Sequence, residues 1–569
     1  MTGQDISRPW LQHYPRDVQW DSTIEPQPLF TILEDTARRF PQTTALDFLG
    51  KTWSYKSLAR LVDHAAEGLR GLGVRKGTKV ALFLPNCPQF VISFYAILKV
   101  GAVVVPCSPL YSRKQLAHQI EDAEVEIAIT LNLKELYPNI APLIGQGRFR
   151  HIIVSDLPWA LPMIPATLFP LLRRKTIAKI PRDTHHTRWH ELLHNNGVRR
   201  SASIHPDTDI AALQYTGGTT GTPKGAMLTH KNLHMNAWQT ALWSQLAGAD
   251  GTVKVLCALP FFHIFALTTL MNRSIMTGAT MILHPRFELQ KVLKDIERKK
   301  PQLMCAVPAM LIAINRSPEL DNYDLTSLRA CISGGAPLPI EVKKNFEDKT
   351  GSTVVEGYGL TEASPVVCAN PLSGINKPGS IGVPLPNTDV AIEDMEQPGK
   401  WLTTPDQRGE LCTRGPQVML GYWKHDQATA EVTTPDGWLR TGDIATIDEQ
   451  GYVFIVDRRK EMIICNGFNV YPRTVEDAIY THPDVEETAV VGMPHHETGE
   501  LIKAAIVLKD GSSLNKQDLH TYLKEILGRH ELPQEIEFKE SLPKTMIGKI
   551  DKKLIKESIM NDIVVENEN

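Results

Sequence analysis

The chain has 569 residues, 42% hydrophobic and 22% charged, which is the make-up of an ordinary soluble globular protein long enough for two or more domains. Lys plus Arg (61) nearly balances Asp plus Glu (64), so no global basic field recommends a nucleic-acid partner. Eight cysteines are scattered without a CxxC pair, several inside apolar runs such as "VLCALP" and "LMCAVP", which fits buried reduced thiols and a reducing cytoplasm.

In chain order, "MTGQDISRPWLQHYP" has neither the charged start nor the apolar stretch of a secretory leader. From about residue 50 to 360, β-rich runs alternate with helical patterns: "KVALFLPN" before "QFVISFYAILKVG", "AVVVPC" before "SRKQLAHQIEDA", then "VEIAIT". Continuously apolar strands alternating with helices predict parallel sheets covered on both faces. Ligands in such sheets sit at the carboxyl ends of the strands, where "SGGAP" and "EGYGLTE" fall.

Residues 157–172, "LPWALPMIPATLFPLL", approach the length of a membrane span but contain four prolines, which would break a spanning helix. The run beside it carries Arg173, Arg174, Lys175, Lys179 and Arg182, so the segment reads either as a surface loop packed on its own domain or as a contact with an anionic membrane surface. "HELLH" (190–194) matches the zinc-protease pattern, but an irregular loop follows it rather than a further ligand-bearing helix, and surface histidines account for it better.

"YTGGTTGTPKG" (215–225) is awkward as helix or strand. It also fails the Walker pattern, because Lys224 follows Pro223 and precedes Gly225. Glycines that let amides converge, threonine hydroxyls and one lysine suit a phosphate, and a solvated turn has the same composition. From about 375 the texture changes to turns and short strands. After "VDRRKEM" the chain reads as a compact α+β unit with strands "EETAVVGM", "KAAIVLKD" and "QEIEFKE" and a helix over "KQDLHTYLKEILG". The predicted division is 1–456, a hinge at 457–460, and 461–569.

Taken in order, "LQYTGGTTG", "KGAMLTH", "LPFFHIFALT", "EGYGLTE", "GSIGVPLPNT", "GELCTRGPQVMLGYW", "GWLRTGDIA", "VDRRKEMI", "GFNVYP" and "LPKTMIGKI" resemble the adenylate-forming enzymes, and among them the bacterial long-chain fatty-acid–CoA ligases. The resemblance implies an α/β fold: a large N-terminal domain of helix-covered parallel sheets with a β-rich subdomain, and a small mobile α+β C-terminal domain. It implies ATP, Mg²⁺ and CoA, with a fatty acid activated as acyl-AMP and then passed to the thiol. Thr216, Gly217, Gly218, Thr219, Thr220 and Lys224 would hold the β- and γ-phosphates. Gly335, Ala336, Pro337, Gly357 and Tyr358 would frame adenine, Asp443 and Arg458 the ribose, Thr361 the α-phosphate and Glu362 the metal.

By the same resemblance, Lys549 would meet the carboxylate and α-phosphate, Lys460 would be the pivot, and Gly467 would border the pantetheine tunnel. His263 would gate or orient the acyl group, against the alternative of a core histidine; Cys465 and Arg473 depart from the pattern near the CoA contacts. Competing readings are a ligase loading a carrier protein, a non-catalytic fatty-acid carrier and a zinc hydrolase. The sequence leaves open chain-length preference, a homodimer, and peripheral docking on the cytoplasmic face of a membrane.

Overall fold

The computed structural model describes residues 7–172, 174–216, 223–245, 253–465, 468–495, 499–544 and 550–567. Two large sheets organise the chain as far as Val383–Pro384. One has seven strands in the order His186–Arg188, His151–Ser155, Ile127–Leu131, Lys79–Phe83, Val103–Cys107, Ile210–Tyr215, Gly225–Thr229. Its neighbours are parallel except the last pair, an antiparallel hairpin whose tip carries the Gly/Thr stretch. The other has nine strands, parallel from Thr353–Gly359 through Ala330–Gly334, Leu303–Ala306, Lys254–Cys257 and Thr280–Leu283 to Thr44–Phe48, with antiparallel strands at both edges.

Helix Pro88–Val100 explains the apolar run "PQFVISFYAILKV": every residue in it is buried, as a helix enclosed on all sides requires. It touches both sheet systems. Gln89 donates to Ser155 Oγ at 3.0 Å, Phe90 meets the Phe261 ring at 5.9 Å, and Tyr95 donates to Asn272 Oδ1 at 2.8 Å. The buried Lys99 ammonium is answered by Asp63 at 2.6 Å and by Glu34, so its charge is not stranded. Asn86 binds the sheets together: its amide donates to the Cys257 and Leu259 carbonyls, and its carbonyl accepts from Phe261 N at 2.7 Å.

A third sheet of five antiparallel strands, Trp401–Leu402, Asp389–Glu393, Gly409–Arg414, Leu439–Ile447 and Val453–Arg458, is the β-rich portion. The strands after it form a separate sheet (Phe468–Val470, Ile463–Cys465, Gly499–Leu508, Val485–His495, with Glu535–Phe538 beside Gly499–Leu508) around its own apolar cluster. The fold is therefore α/β with a β-rich subdomain and a C-terminal α+β unit. All eight cysteines are buried.

The proline-rich segment is not a loop. Met163–Leu172 forms an α-helix, with Pro165 in the first turn, where a missing N–H has no partner to lose. Among the described residues, no helix is long and apolar enough to cross a membrane. In "HELLH", Glu191 accepts from Arg188 N at 2.8 Å and so caps its own short helix, while His190 and His194 are exposed.

Candidate active site

Strand Ala330–Gly334 ends at Gly335, whose φ of +84° is left-handed backbone that favours glycine. Ala336 and Pro337 follow at partly and fully exposed positions. The next parallel strand sets Gly357 opposite Gly334 and carries Tyr358. The Tyr358 hydroxyl donates to Asp443 Oδ2, and Arg458 Nε lies 3.2 Å from Asp443 Oδ1. Asp443 and Arg458 are cross-strand partners in the five-stranded sheet, and the Asp443 amide donates to Thr441 Oγ1 at 3.1 Å.

Loss of water and then the facing Asp443 carboxylate push the Tyr358 hydroxyl well above its ordinary pKa, so it remains a donor; the same carboxylate strengthens the Arg458 cation. An aromatic ring beside a buried carboxylate offers a nucleoside what it requires: a flat face for the base and an acceptor for the sugar hydroxyls.

A short 3₁₀ turn, Thr361–Ala363, follows directly. Glu362 Oε1 accepts from the Tyr422 hydroxyl at 2.6 Å, and the Glu362 carbonyl accepts from Met419 N at 2.8 Å. Tyr422 belongs to a strap laid along strand Gly225–Thr229, held by Met227 N to Gly421 O (2.9 Å), Leu420 N to Met227 O (3.1 Å) and Trp423 N to Gly225 O (2.8 Å). This register brings the Lys224 ammonium to 5.3 Å from the Tyr422 ring centroid. Thr216 N donates to Lys224 O at 3.0 Å, closing the base of the hairpin loop. Gly217, Gly218, Thr219 and Thr220 lie outside the described residues.

Tyr422 has no local sequence signal. It is one aromatic residue in a loop, and its partner Glu362 is 60 positions away. Tyr422 thus relates a carboxylate and an ammonium, Glu362 through its hydroxyl and Lys224 through its ring, and a carboxylate oxygen and a cation are group types that take a hard metal and phosphate oxygens respectively.

His263 caps the turn Ile264–Ala266, its Nδ1 accepting from Phe265 N at 3.4 Å. It also lines a small apolar cavity with Leu259, Phe265, Val307 and Gly335, so His263 and the end of strand Ala330–Gly334 face one space. The helix continues as a π-turn, Leu267–Asn272, whose Thr268 Oγ1 donates to Ser364 O at 2.6 Å, tying the cavity wall to the Thr361–Ala363 turn.

Lys460 is exposed, directly after Arg459, which is paired with Glu410. Gly467 and Lys549 lie outside the described residues; the strand-like bridge between Lys544 and Ile550 flanks the latter. Arg473, a departure from the pattern near the expected CoA contacts, donates to the Ile455 carbonyl at 2.8 Å.

Comparison with known proteins gives the same picture. The family model described as AMP-binding enzyme matches residues 33–423, and the AMP-binding enzyme C-terminal domain matches 474–549. The chain is 42% identical over 561 residues to a long-chain-fatty-acid–CoA ligase of Bacillus subtilis, covering 97% of this chain and 99% of that one. It is 37% identical to the enzyme of the same description from Yersinia pestis, over 96% and 97%. Among solved structures, ATP-bound MatB from Rhodopseudomonas palustris matches with a TM-score of 0.82 at 28% identity, covering 93% of this chain and 98% of that one.

Proposed function

The chain belongs to the AMP-binding enzyme family, and from that membership we propose how its residues divide the work. The protein is an ATP-dependent long-chain-fatty-acid–CoA ligase. A fatty carboxylate oxygen attacks the α-phosphorus of ATP and pyrophosphate leaves; the CoA sulfur then attacks the acyl carbon and AMP leaves. The first step exchanges an oxide leaving group for a phosphate ester, at the expense of bringing an anion onto a polyanion. The protein's task is to offset that repulsion at the reacting centre.

The observation that carries this reading is the pair of tyrosine-held carboxylates, Asp443 with Tyr358 and Glu362 with Tyr422, with only three residues between Tyr358 and Glu362 in the chain. Asp443 and Arg458 take the ribose, with Tyr358 against the base between Gly335–Pro337 and Gly357. Lys224 and the loop from Thr216 to Thr220 take the terminal phosphates, and Thr361 the α-phosphate. Glu362 fits Mg²⁺ because Tyr422 engages one carboxylate oxygen and the other is the hard donor such a cation prefers. When bound, that cation supplies charge neutralisation to the phosphates. Lys549 supplies a second positive charge between carboxylate and α-phosphate, and Gly467 leaves room for pantetheine. His263, at the cavity wall, orients the acyl end.

The assigned unit boundaries are 1–456 and 461–569, with the pivot at 457–460. The decisive experiment is pyrophosphate exchange into ATP, followed by AMP release with CoA across a panel of acids. Exchange that requires an apolar acid and release that rises with chain length are expected; absence of exchange with every acid removes the reading.

Contact with an anionic membrane surface on the cytoplasmic side is supported by helix Met163–Leu172, whose Met163 and Ile164 are 83% and 72% exposed. Residues 163–182 contain five Lys or Arg and no Asp or Glu. Sedimentation with phosphatidylglycerol vesicles but not phosphatidylcholine vesicles, lost in Met163→Asp/Ile164→Asp, is the test.

A further inference from the structure

Strand Val453–Arg458 closes the five-stranded sheet, and helix Pro472–Tyr480 is the first helix of the C-terminal unit. They are joined by one residue acting twice. The Arg473 amide, in the first turn of that helix, donates to Asp457 Oδ2 at 2.8 Å, so a carboxylate at the end of the sheet strand, where the hinge begins, caps a helix of the C-terminal unit. The Arg473 guanidinium donates through Nη1 to the Ile455 carbonyl at 2.8 Å. Asp457 is buried, and its other oxygen accepts from Arg458 N at 2.6 Å, which fixes the carboxylate for its cross-unit role. The Arg473 charge also reaches the buried Glu356 carboxyl, on the strand that carries Tyr358, and opposes the effect of burial there.

Both Arg473 bonds bridge the 457–460 pivot, with one acceptor before it at 455, the other at its first residue, 457, and the donor beyond it at 473. A rotation about that pivot must break both together. Among the described residues, contacts further from the pivot also cross between the units: the half-exposed Arg316 pairs with Glu486, and the Arg408 guanidinium lies 5.2 Å from the Tyr471 ring.

We propose that Arg473 is the latch that holds the C-terminal unit in the orientation of this structure, a positioning residue that sets the balance between the two half-reactions. This inference rests on the ligase reading above. A two-state element biased by a charge-assisted bond shifts its populations when the bond is removed. Lowering one orientation raises the other, so the two half-reactions respond in opposite senses, which a general loss of folding does not produce.

The test uses the full chain with Arg473→Met, which keeps the apolar stem, and Arg473→Lys, which restores a cation. Pyrophosphate exchange and thioester formation from supplied acyl-AMP and CoA are measured separately. The ratio of the two rates is expected to change roughly tenfold in the methionine variant, the size of one charge-assisted bond, and to return part of the way in the lysine variant.

Trypsin supplies a readout independent of catalysis. Arg458, Arg459 and Lys460 are exposed but held beside the latched strand, and cleavage there is expected to quicken at least about fivefold in Arg473→Met at unchanged melting temperature. An unchanged rate ratio together with unchanged cleavage overturns the latch. Wild-type enzyme without exchange activity overturns the ligase reading instead, and the cleavage result still decides whether Arg473 holds the two units together.

Discussion

Tyr422 donates its hydroxyl hydrogen to Glu362 at 2.6 Å while its ring faces the Lys224 ammonium at 5.3 Å, so one aromatic side chain joins the glycine-rich hairpin to the acidic turn. A hydrogen bond to a charged group contributes about 1.5–3 kcal/mol net.

Tyr422→Phe keeps the ring and removes the donor. Pyrophosphate exchange is expected to fall about tenfold or more, with the Mg²⁺ concentration for half-maximal rate displaced, because a carboxylate without its tethering donor is less well aimed. A Mg²⁺ titration of the exchange reaction checks this; a curve superimposable on wild type would assign the tyrosine to packing alone.

Asp443→Asn retains the shape of the side chain but weakens acceptance from both Tyr358 and a bound sugar. The KM for ATP should rise by roughly tenfold to a hundredfold, with the KM for acid little changed. Steady-state kinetics with each substrate varied in turn distinguish this from a general loss, in which kcat alone would drop.

Lys549→Ala should lower exchange by about a hundredfold or more, matching an oriented electrostatic contact of roughly 3–4 kcal/mol. Thioester formation from preformed acyl-AMP should stay close to wild type. Equal losses in the two assays would refute a role confined to the first step.

His230 and His234 lie on helix His230–Trp243, and burial depresses each to about 4. Unfolded, they titrate near 6.5, so between those values the unfolded chain binds protons that the folded chain refuses. Stability is therefore full above about pH 6.5 and falls as pH drops toward 4, by up to about 1.4 kcal/mol per pH unit for each ring. His230→Gln, which preserves an acceptor for Leu29 N, should flatten the slope of unfolding free energy against pH in urea melts. An unaltered slope would show that this ring does not contribute.

The alternating strands and helices were legible because continuous apolar runs such as "VVVPC" and "IAITL" have no other place than the inside of a covered parallel sheet. The fully buried helix Pro88–Val100 was legible for the same reason. Tyr358, Asp443 and Arg458 were named from motif order, and the structure brings them into contact. What sequence could not give was pairing across distance. Nothing local in "MLGYW" says that its tyrosine reaches an acid 60 positions back, and nothing in "VYPRTVE" says that its arginine reaches the carbonyl of Ile455 on the preceding sheet. Proline content alone does not exclude the helix at Met163–Leu172: Pro165 sits in the first turn, where it is tolerated, and the helix runs on through Pro170 to Leu172.

The helix enclosed between the two large sheets has a consequence for how the molecule comes apart. Since Asn86 and Tyr95 bind one sheet's helix to the other sheet's backbone and side chains, neither layer owns a finished interior. Chain cut on either side of Pro88–Val100 would leave both pieces with raw apolar faces. The pair should melt in a single cooperative step, and a truncated fragment should precipitate rather than persist as a smaller native body.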